Sequence, residues 1–207
     1  MILLSILDYI GSCAFCMSGA AMAYTLRMSL FGVFIMSLIA GYGGSCIRDT
    51  MLGNTPPILF QTPLYWYIAI FTVFFISLIK RQAAQVEKIV IIGDAVGLAA
   101  FTIMGVQKGI EAELGPIQCA MLGVISSCFG GIIRDVIANK MPFVLKDRSY
   151  AFIGFFGGLS YFYLSPHLNL LYTIIAVVSL IFIIRIYEAK NILLNKDKGS
   201  VTPVSKW

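Results

Sequence analysis

Two short segments combine glycines with an adjacent arginine and aspartate. The first contains Gly43, Gly44 and Ser45, followed by Arg48 and Asp49. Adjacent glycines weaken an α-helix by about 1 kcal/mol each relative to alanine, and they permit a kink or an unwound turn. An unwound turn exposes backbone carbonyls, whose hard oxygen atoms suit an alkali cation. The segment therefore predicts a site on an ion or substrate path.

A second segment repeats this pattern and contains Phe129, Gly130, Gly131, Arg134 and Asp135. In both segments the arginine stands four residues after a matched glycine. Because the arginine-aspartate pair recurs at this position, we predict a functional helix break at each glycine pair rather than a close packing contact alone.

The arginines and aspartates of both segments lie within or near apolar stretches. An ionisable side chain inside a membrane commonly costs about 2.5–3.5 kcal/mol on insertion scales, so it should face a cavity or a partner. Because neighbouring residues do not face each other on a helix, Arg48 is not expected simply to neutralise Asp49. Pairing between segments, Arg48 with Asp135 and Arg134 with Asp49, is one alternative. A structural clasp and a pore-lining role both stay open.

The elements that hold these segments follow from the composition. The chain has 207 residues, of which 59% are hydrophobic and 12% charged, and its mean hydropathy is +0.89. Soluble domains are about 25% charged, so the composition argues against a soluble enzyme, a disulfide scaffold and a disordered chain. The apolar runs are too long for membrane strands. The sequence therefore predicts an all-α integral membrane protein.

Seven stretches approach the length of about 20 apolar residues that a membrane helix needs. They are residues 2–26, 30–52, 64–79, 89–106, 114–138, 150–164 and 168–187. Tyr65, Trp66 and Tyr67, which stand at the start of the third stretch, are predicted to anchor it at the membrane interface.

Basic residues are concentrated on one side of these spans. The predicted cytoplasmic side carries Arg27, Lys80, Arg81, Lys88, Lys140, Lys146, Arg148, Arg185, Lys190, Lys196, Lys198 and Lys206. The opposite loops carry only Lys108. This asymmetry predicts an N-terminus outside the membrane and a C-terminus in the cytoplasm. It also assigns the net charge of +5 to loops rather than to nucleic-acid binding.

The chain repeats itself at an offset of 86 residues, as from Asp8 to Asp94. The other matched positions include Gly11 with Gly97, Phe15 with Phe101, Gly44 with Gly130, Arg48-Asp49 with Arg134-Asp135, and Pro56 with Pro142. Three spans in each copy imply that the copies are inverted. The predicted units are residues 1–80, residues 81–166, a seventh span at 167–190 and a polar cytoplasmic tail at 191–207.

Asp8 and Asp94 open the first span of each copy and are predicted near opposite membrane faces. As pathway residues they would attract cations to both mouths of a pore. As structural residues they would be helix N-terminal charges that the helix dipole favours. A pathway role and a structural role both stay open for these two aspartates.

The glycine pairs with a following Arg-Asp and a downstream proline resemble bacterial membrane proteins with two glycine-transporter-type repeats. These proteins are homologues of the trimeric intracellular cation (TRIC) channels. The resemblance covers roughly residues 3–188. It implies seven transmembrane helices, in two inverted three-helix repeats plus a seventh helix, and a homotrimer. It also implies one potassium-permeable pore in each protomer, lined by glycine-kinked second and fifth helices.

The resemblance assigns the breaks to residues 43–45 and 129–131. Ser45 and Phe129 replace the third glycine that the family's motif often has, and Phe129 would narrow the path as a hydrophobic gate. The hydroxyls of Ser45, Ser126 and Ser127 suit the lining of a wet path. The permeant ion would be potassium or sodium, in a bacterial inner membrane.

A secondary transporter of glycine or another small amino acid is the alternative. Arg48 or Arg134 would then hold the carboxylate, and Asp49 or Asp135 the ammonium group. For either function we expect membrane lipids as neighbours. We expect no cofactor, no structural metal, no nucleic-acid partner and no catalytic activity, because no hydrolase triad, P-loop or zinc motif is present.

Overall fold

The computed structural model describes residues 2–78, 83–146 and 148–197, and within these ranges every regular element is an α-helix. In chain order the helices are α1 (Ile2–Thr25), α2 (Leu30–Met51), α3 (Ile58–Gln61), α4 (Leu64–Leu78), α5 (Ala83–Glu111), α6 (Pro116–Ile137), α7 (Phe143–Lys146), α8 (Arg148–Leu164) and α9 (Leu170–Asp197). The all-α prediction is confirmed for these residues. Outside these ranges lie four of the basic residues that were predicted on the cytoplasmic side, namely Lys80, Arg81, Lys198 and Lys206.

Among the residues that the structure describes, five helices are long and apolar enough to cross a membrane, namely α1, α2, α5, α6 and α9. Helix α4 is apolar but has 15 residues, and α8 has 17 residues. The seven-span count therefore stays a prediction. The short helices α3 and α7 follow Pro57 and Pro142 and are absent from the sequence prediction, because four residues carry no detectable hydrophobic period.

Two helices extend beyond the predicted spans. Helix α5 begins at Ala83 rather than at residue 89, and α9 continues to Asp197 rather than ending before residue 191. The predicted polar tail at 191–207 therefore begins as a continuation of α9 through residues 191–197. Apolar length determines how much of a helix the membrane covers, whereas charged and amide residues continue the helix into water at little cost.

Helices α1 and α5 pack against each other at the centre of the bundle. The rings of Phe15 and Phe101 stack with centroids 5.5 Å apart and an interplanar angle of 6°. Gly11 lies against the ring of Phe101, and Gly97 lies against the ring of Phe15. At the offset of 86 residues Gly11 corresponds to Gly97 and Phe15 to Phe101. The two glycine–ring contacts are therefore equivalent, with the two helices exchanged. Small residues admit the two rings because a side chain at either glycine would overlap its neighbours.

The outer faces of α4 and α9 are apolar and exposed. Phe71 and Phe74 on α4 are 64% and 63% exposed, and Ile183 on α9 is 64% exposed. Extended apolar surface of this kind is suited to lipid or to another subunit. The opposite side of α9 buries Ile174 and Ile181 in the same core cluster as Leu98 of α5. Helix α9 therefore packs against α5 and α8.

Candidate functional site

Gly44 on α2 and Gly130 on α6 lie where these two helices cross. A Cβ atom on Gly44 would overlap the carbonyl oxygen of Ser126, and one on Gly130 would overlap the carbonyl oxygen of Ala40. Ala40 and Ser126 are themselves separated by the offset of 86 residues. The two contacts are therefore the same contact with the helices exchanged. Only glycine at these positions lets the two backbones approach so closely.

The predicted unwound turn is not found at either glycine pair within the described residues. Helix α2 runs without interruption from Leu30 to Met51, and α6 from Pro116 to Ile137. The expectation of an unwound turn with freed carbonyls is thus wrong for this structure, whereas the kink that the glycines permit stays a prediction. An intact helix satisfies its own backbone groups, which apolar surroundings demand. The glycines serve the crossing of α2 and α6 instead.

The remaining residues of the glycine segments have more room. A Cβ atom on Gly131 would meet only Nη2 of Arg134, at 3.8 Å, and one on Gly43 would meet the end of the Ile133 side chain at 3.3 Å. Phe129 is half-buried. Its predicted role as a gate stays a prediction.

The three candidate serines are buried but differ in their hydrogen bonds. The Ser127 hydroxyl donates to the carbonyl of Gly123 at 2.8 Å and accepts a bond of 3.2 Å from Thr102. The hydroxyls of Ser45 and Ser126 make no hydrogen bond to any described residue. Ser127 is therefore engaged in helix packing, whereas Ser45 and Ser126 retain hydrogen-bonding capacity beside the crossing of α2 and α6.

Arg134 is fully buried and joins two carboxylates. Its Nη1 atom lies 2.5 Å from Oδ1 of Asp94 on α5, and its Nη2 atom lies 2.7 Å from Oδ1 of Asp135. Nη1 also donates to the hydroxyl of Ser18 on α1, and that hydroxyl donates to Asp94 at 3.2 Å. The second oxygen of Asp135 accepts a bond of 3.2 Å from the backbone N–H of Phe143. These charges are thus compensated, as buried charges must be.

Arg48 is also fully buried but holds one carboxylate. Its Nε and Nη2 atoms donate to Oδ1 of Asp49 at 2.9 and 2.7 Å, and the backbone N–H of Ile58 donates to Oδ2 at 2.9 Å. The Nη1 atom of Arg48 has no hydrogen-bond partner in the described part of the chain.

Both arginines therefore pair with the next residue in the chain. The expectation that neighbours do not pair is wrong here, because the arginine side chain is long enough to reach the carboxylate of residue i+1. The alternative of pairing between segments, Arg48 with Asp135 and Arg134 with Asp49, does not occur among the ion pairs of the described residues.

Asp8 and Asp94 are each 2% exposed and lie within their helices rather than at the first turn. The interpretation as helix N-terminal charges is therefore wrong, most clearly for Asp94, which stands well inside α5. Asp8 accepts a hydrogen bond of 2.5 Å from the Tyr65 hydroxyl of α4, and its Oδ1 atom has no partner in the described ranges. Their role at a pore mouth stays a prediction.

Two residues of this site were missed by the sequence prediction. Tyr65 is 4% exposed and points inward to Asp8, although it was predicted to be an interface anchor. Its neighbours Trp66 and Tyr67 are half-buried and exposed, because successive residues of a helix point in different directions. Ser18 is a lone hydroxyl in an apolar stretch, and its sequence neighbourhood carries no signal for a contact with Arg134.

Each arginine lines a pocket, and the two pockets differ greatly in size. The Arg48 pocket has a volume of about 350 Å³ and is lined by Arg48, Asp49, Gly53, Asn54, Thr55, Ile58, Gln61 and Lys108. The Arg134 pocket has about 10 Å³, which is room for about one water molecule. Tyr150 lines the Arg134 pocket, and the guanidinium of Arg185 from α9 stacks on the Tyr150 ring at 4.4 Å. The Arg48 pocket is therefore open, and the Arg134 pocket is closed.

Comparison with known proteins gives concordant matches. A family model described as glycine transporter matches residues 5–81 and again residues 91–166. The UPF0126 membrane protein of Deinococcus radiodurans is 36% identical over 163 residues, which cover 78% of this chain and 76% of the relative. The UPF0126 inner membrane protein YadS of Escherichia coli (strain K12) is 37% identical over 154 residues, which cover 74% of each chain.

Solved structures of similar fold are cation channels. A crystal structure of a prokaryotic TRIC channel matches with a TM-score of 0.85 and 30% identity, covering 93% of this chain and 98% of that chain. The TRIC trimeric intracellular cation channel orthologue from Rhodobacter sphaeroides matches with a TM-score of 0.82 and 28% identity, covering 90% of this chain and 97% of that chain. The predicted resemblance is therefore confirmed.

Proposed function

The chain belongs to the glycine transporter family as a bacterial-type homologue of the TRIC cation channels, and we propose that it is a potassium-permeable monovalent cation channel. It is a multi-pass membrane protein. The pore runs through each protomer of a homotrimer, alongside the crossing of α2 and α6. Its lining includes the matched glycine segments and the hydroxyls of Ser45 and Ser126.

The observation that carries this proposal is a set of buried oxygen atoms without partners. Oδ1 of Asp8 and the hydroxyls of Ser45 and Ser126 make no hydrogen bond within the described residues. They come from α1, α2 and α6, which pack together at the centre of the bundle. A buried polar atom in apolar surroundings costs several kcal/mol unless water or an ion satisfies it. We therefore infer that these atoms border a hydrated path.

The charges near the path are compatible with a cation. An unpaired arginine in a narrow pore would repel potassium, but Arg48 pairs with Asp49 and Arg134 pairs with Asp94 and Asp135. Each arginine is therefore neutralised by at least one carboxylate. Asp8 on α1 adds a further buried carboxylate. The path is thus not dominated by positive charge, as a cation channel requires.

The arrangement of the spans follows from the repeat. We propose that residues 1–80 and 81–166 form two inverted three-helix repeats, with α3 and α7 as short connecting helices. The seventh span at 167–190 braces them, and the tail follows from residue 191. The N-terminus lies outside a bacterial inner membrane and the C-terminus in the cytoplasm. The Arg48 pocket then opens to the outside and the Arg134 pocket faces the cytoplasm. Potassium or sodium permeates, and no cofactor takes part.

The test is electrical recording of the purified protein in a planar bilayer under a potassium chloride gradient. Discrete unitary currents that reverse near the potassium equilibrium potential are expected. Substitution of Ser126 by alanine should change the unitary conductance. Currents that reverse near the chloride potential, or an absence of current from protein of verified fold, would contradict the proposal.

A secondary transporter of glycine or another small amino acid is the second candidate. The Arg48 pocket supports it, because its volume of about 350 Å³ lies in the usual range for small-molecule sites and it contains both a cation and a carboxylate. Arg48 would hold the substrate carboxylate and Asp49 the ammonium group. Uptake of labelled glycine into proteoliposomes that show no unitary current would favour this function.

A further inference from the structure

The two proposed repeats hold equivalent charged residues in different arrangements. In the second, Arg134 binds Asp94 of α5. In the first, Asp8 corresponds to Asp94 and Arg48 to Arg134, yet Asp8 accepts its hydrogen bond from Tyr65. Oδ1 of Asp8 and Nη1 of Arg48 are both buried, and neither has a hydrogen-bond partner in the parts of the chain that the structure describes.

Two differences between the copies account for this asymmetry. Tyr65 stands 86 residues before Ala151. The neighbouring Tyr150 lines the Arg134 pocket, but Asp94 takes its side-chain hydrogen bonds from Arg134 and Ser18. Ser18, which bonds both Arg134 and Asp94, stands 86 residues before Met104. Ser18 of the first copy therefore supports the arginine-aspartate pair of the second copy, whereas its counterpart Met104 has no hydroxyl to support Arg48 and Asp8. The first copy has instead a hydroxyl that competes for the aspartate.

Oδ1 of Asp8 is a hydrogen-bond acceptor and Nη1 of Arg48 is a donor. They carry opposite charges, and they lie on α1 and α2, which pack against each other as α5 and α6 do. The equivalent helices α5 and α6 already bring such a pair into contact at Arg134 and Asp94. Arg134, which binds Asp94, lines the small pocket. Arg48, which does not bind Asp8, lines the large pocket. Pairing and pocket size thus vary together between the two copies.

We propose that Tyr65 is a positioning residue whose hydroxyl holds Asp8 away from Arg48 and thereby keeps the Arg48 pocket open. When this hydrogen bond is broken, Asp8 pairs with Arg48 as Asp94 pairs with Arg134, and the Arg48 pocket closes. The significance of this closure for permeation rests on the proposed channel function. The closure itself is a change of structure that can be measured without ion flux.

The test measures access to the Arg48 pocket with a membrane-impermeant thiol reagent. A cysteine is introduced by Ile58→Cys, at a half-buried position that lines the pocket and keeps its backbone N–H bond to Asp49. Modification at position 58 is quantified by mass spectrometry, so the native cysteines can stay. Adding Tyr65→Phe should slow this modification by about tenfold or more, because a hydrogen bond to a carboxylate is lost.

The rescue variant adds Asp8→Asn to Tyr65→Phe and Ile58→Cys. An uncharged amide forms no ion pair with Arg48, so modification at position 58 should return to within about twofold of the rate with Tyr65 intact. A purely structural role of Tyr65 in packing would not be rescued by this change. Modification after Met51→Cys, at an exposed position of α2 outside the pocket lining, should be unchanged by Tyr65→Phe.

Three results would overturn the inference: unchanged modification at position 58 in the Tyr65→Phe protein, a slowing that Asp8→Asn leaves in place, or an equal slowing at position 51. Electrical recordings on the same proteins separate the inference from the channel proposal. Protein that carries no current but shows the slowing and the rescue supports the role of Tyr65. Protein that conducts but shows neither the slowing nor the rescue contradicts the role of Tyr65 and leaves the channel proposal standing.

Discussion

Arg134 on α6 and Asp94 on α5 form an ion pair whose side chains are 0% and 3% exposed, with 2.5 Å between Nη1 and Oδ1. The two residues are far apart in the chain, and the same guanidinium also holds Asp135. One arginine therefore links the carboxylates of two long helices. It does so at the end of the bundle where the pocket is closed.

Replacing Arg134 with alanine should destabilise the protein strongly. The change leaves the carboxylates of Asp94 and Asp135 buried without their cation, a situation that typically costs about 3–5 kcal/mol. Thermal unfolding of the detergent-solubilised protein measures this loss. The matched control is Lys108→Ala, which breaks a partly exposed pair with Glu111 and should cost no more than about 1 kcal/mol. Equal losses of stability in the Arg134→Ala and Lys108→Ala proteins would contradict a strong contribution from the buried ion pairs of Arg134.

Replacing Gly44 or Gly130 with alanine should force α2 and α6 apart. Either Cβ atom would overlap a backbone carbonyl, and overpacking of this kind typically costs about 1–3 kcal/mol. Unfolding midpoints in detergent measure the effect. Gly131→Ala is the control, because its Cβ has only one contact at 3.8 Å and alanine is the better helix former by about 1 kcal/mol. A Gly131→Ala protein less stable than the Gly44→Ala protein would contradict the packing role.

The neighbouring serines Ser126 and Ser127 should respond differently to alanine. Ser127→Ala removes hydroxyl bonds to Gly123 and Thr102 and should lower stability by about 1 kcal/mol while leaving the unitary conductance unchanged. Ser126→Ala removes a hydroxyl without a partner among the described residues, so conductance should change with little effect on stability. Single-channel recording and thermal unfolding on both proteins separate the two effects. The reverse pattern would place Ser127, not Ser126, on the path.

Replacing Arg48 with glutamine should raise the potassium conductance. The change removes a positive charge from the Arg48 pocket and leaves the carboxylate of Asp49, which concentrates cations and should increase the conductance by about twofold or more. Asp49→Asn is the opposite change and should lower the conductance. Recordings at low ionic strength give the clearest difference, because salt screens these charges. Conductance that is unaffected by both changes would place the pocket off the path.

The helical framework was largely predictable from the sequence, because the length of an apolar run is a local property. The first helix, predicted at residues 2–26, is observed at Ile2–Thr25, and the second, predicted at 30–52, is observed at Leu30–Met51. The repeat offset was visible for the same reason, since matched glycines and charges need no knowledge of contacts. Helix ends beyond the apolar runs, as at Ala83 and Asp197, were not predicted because hydropathy carries no information there.

The sequence also identified which residues belong to the site, since arginine and aspartate in an apolar stretch are costly without a partner. It could not determine which partners they take. Arg134 reaches Asp94 only because α5 and α6 cross beside each other, and Asp8 reaches Tyr65 only because α4 turns that face inward. Whether glycine breaks a helix or admits a neighbour depends equally on what lies opposite. These outcomes were decided by the packing of helices distant in the chain, which local patterns do not encode.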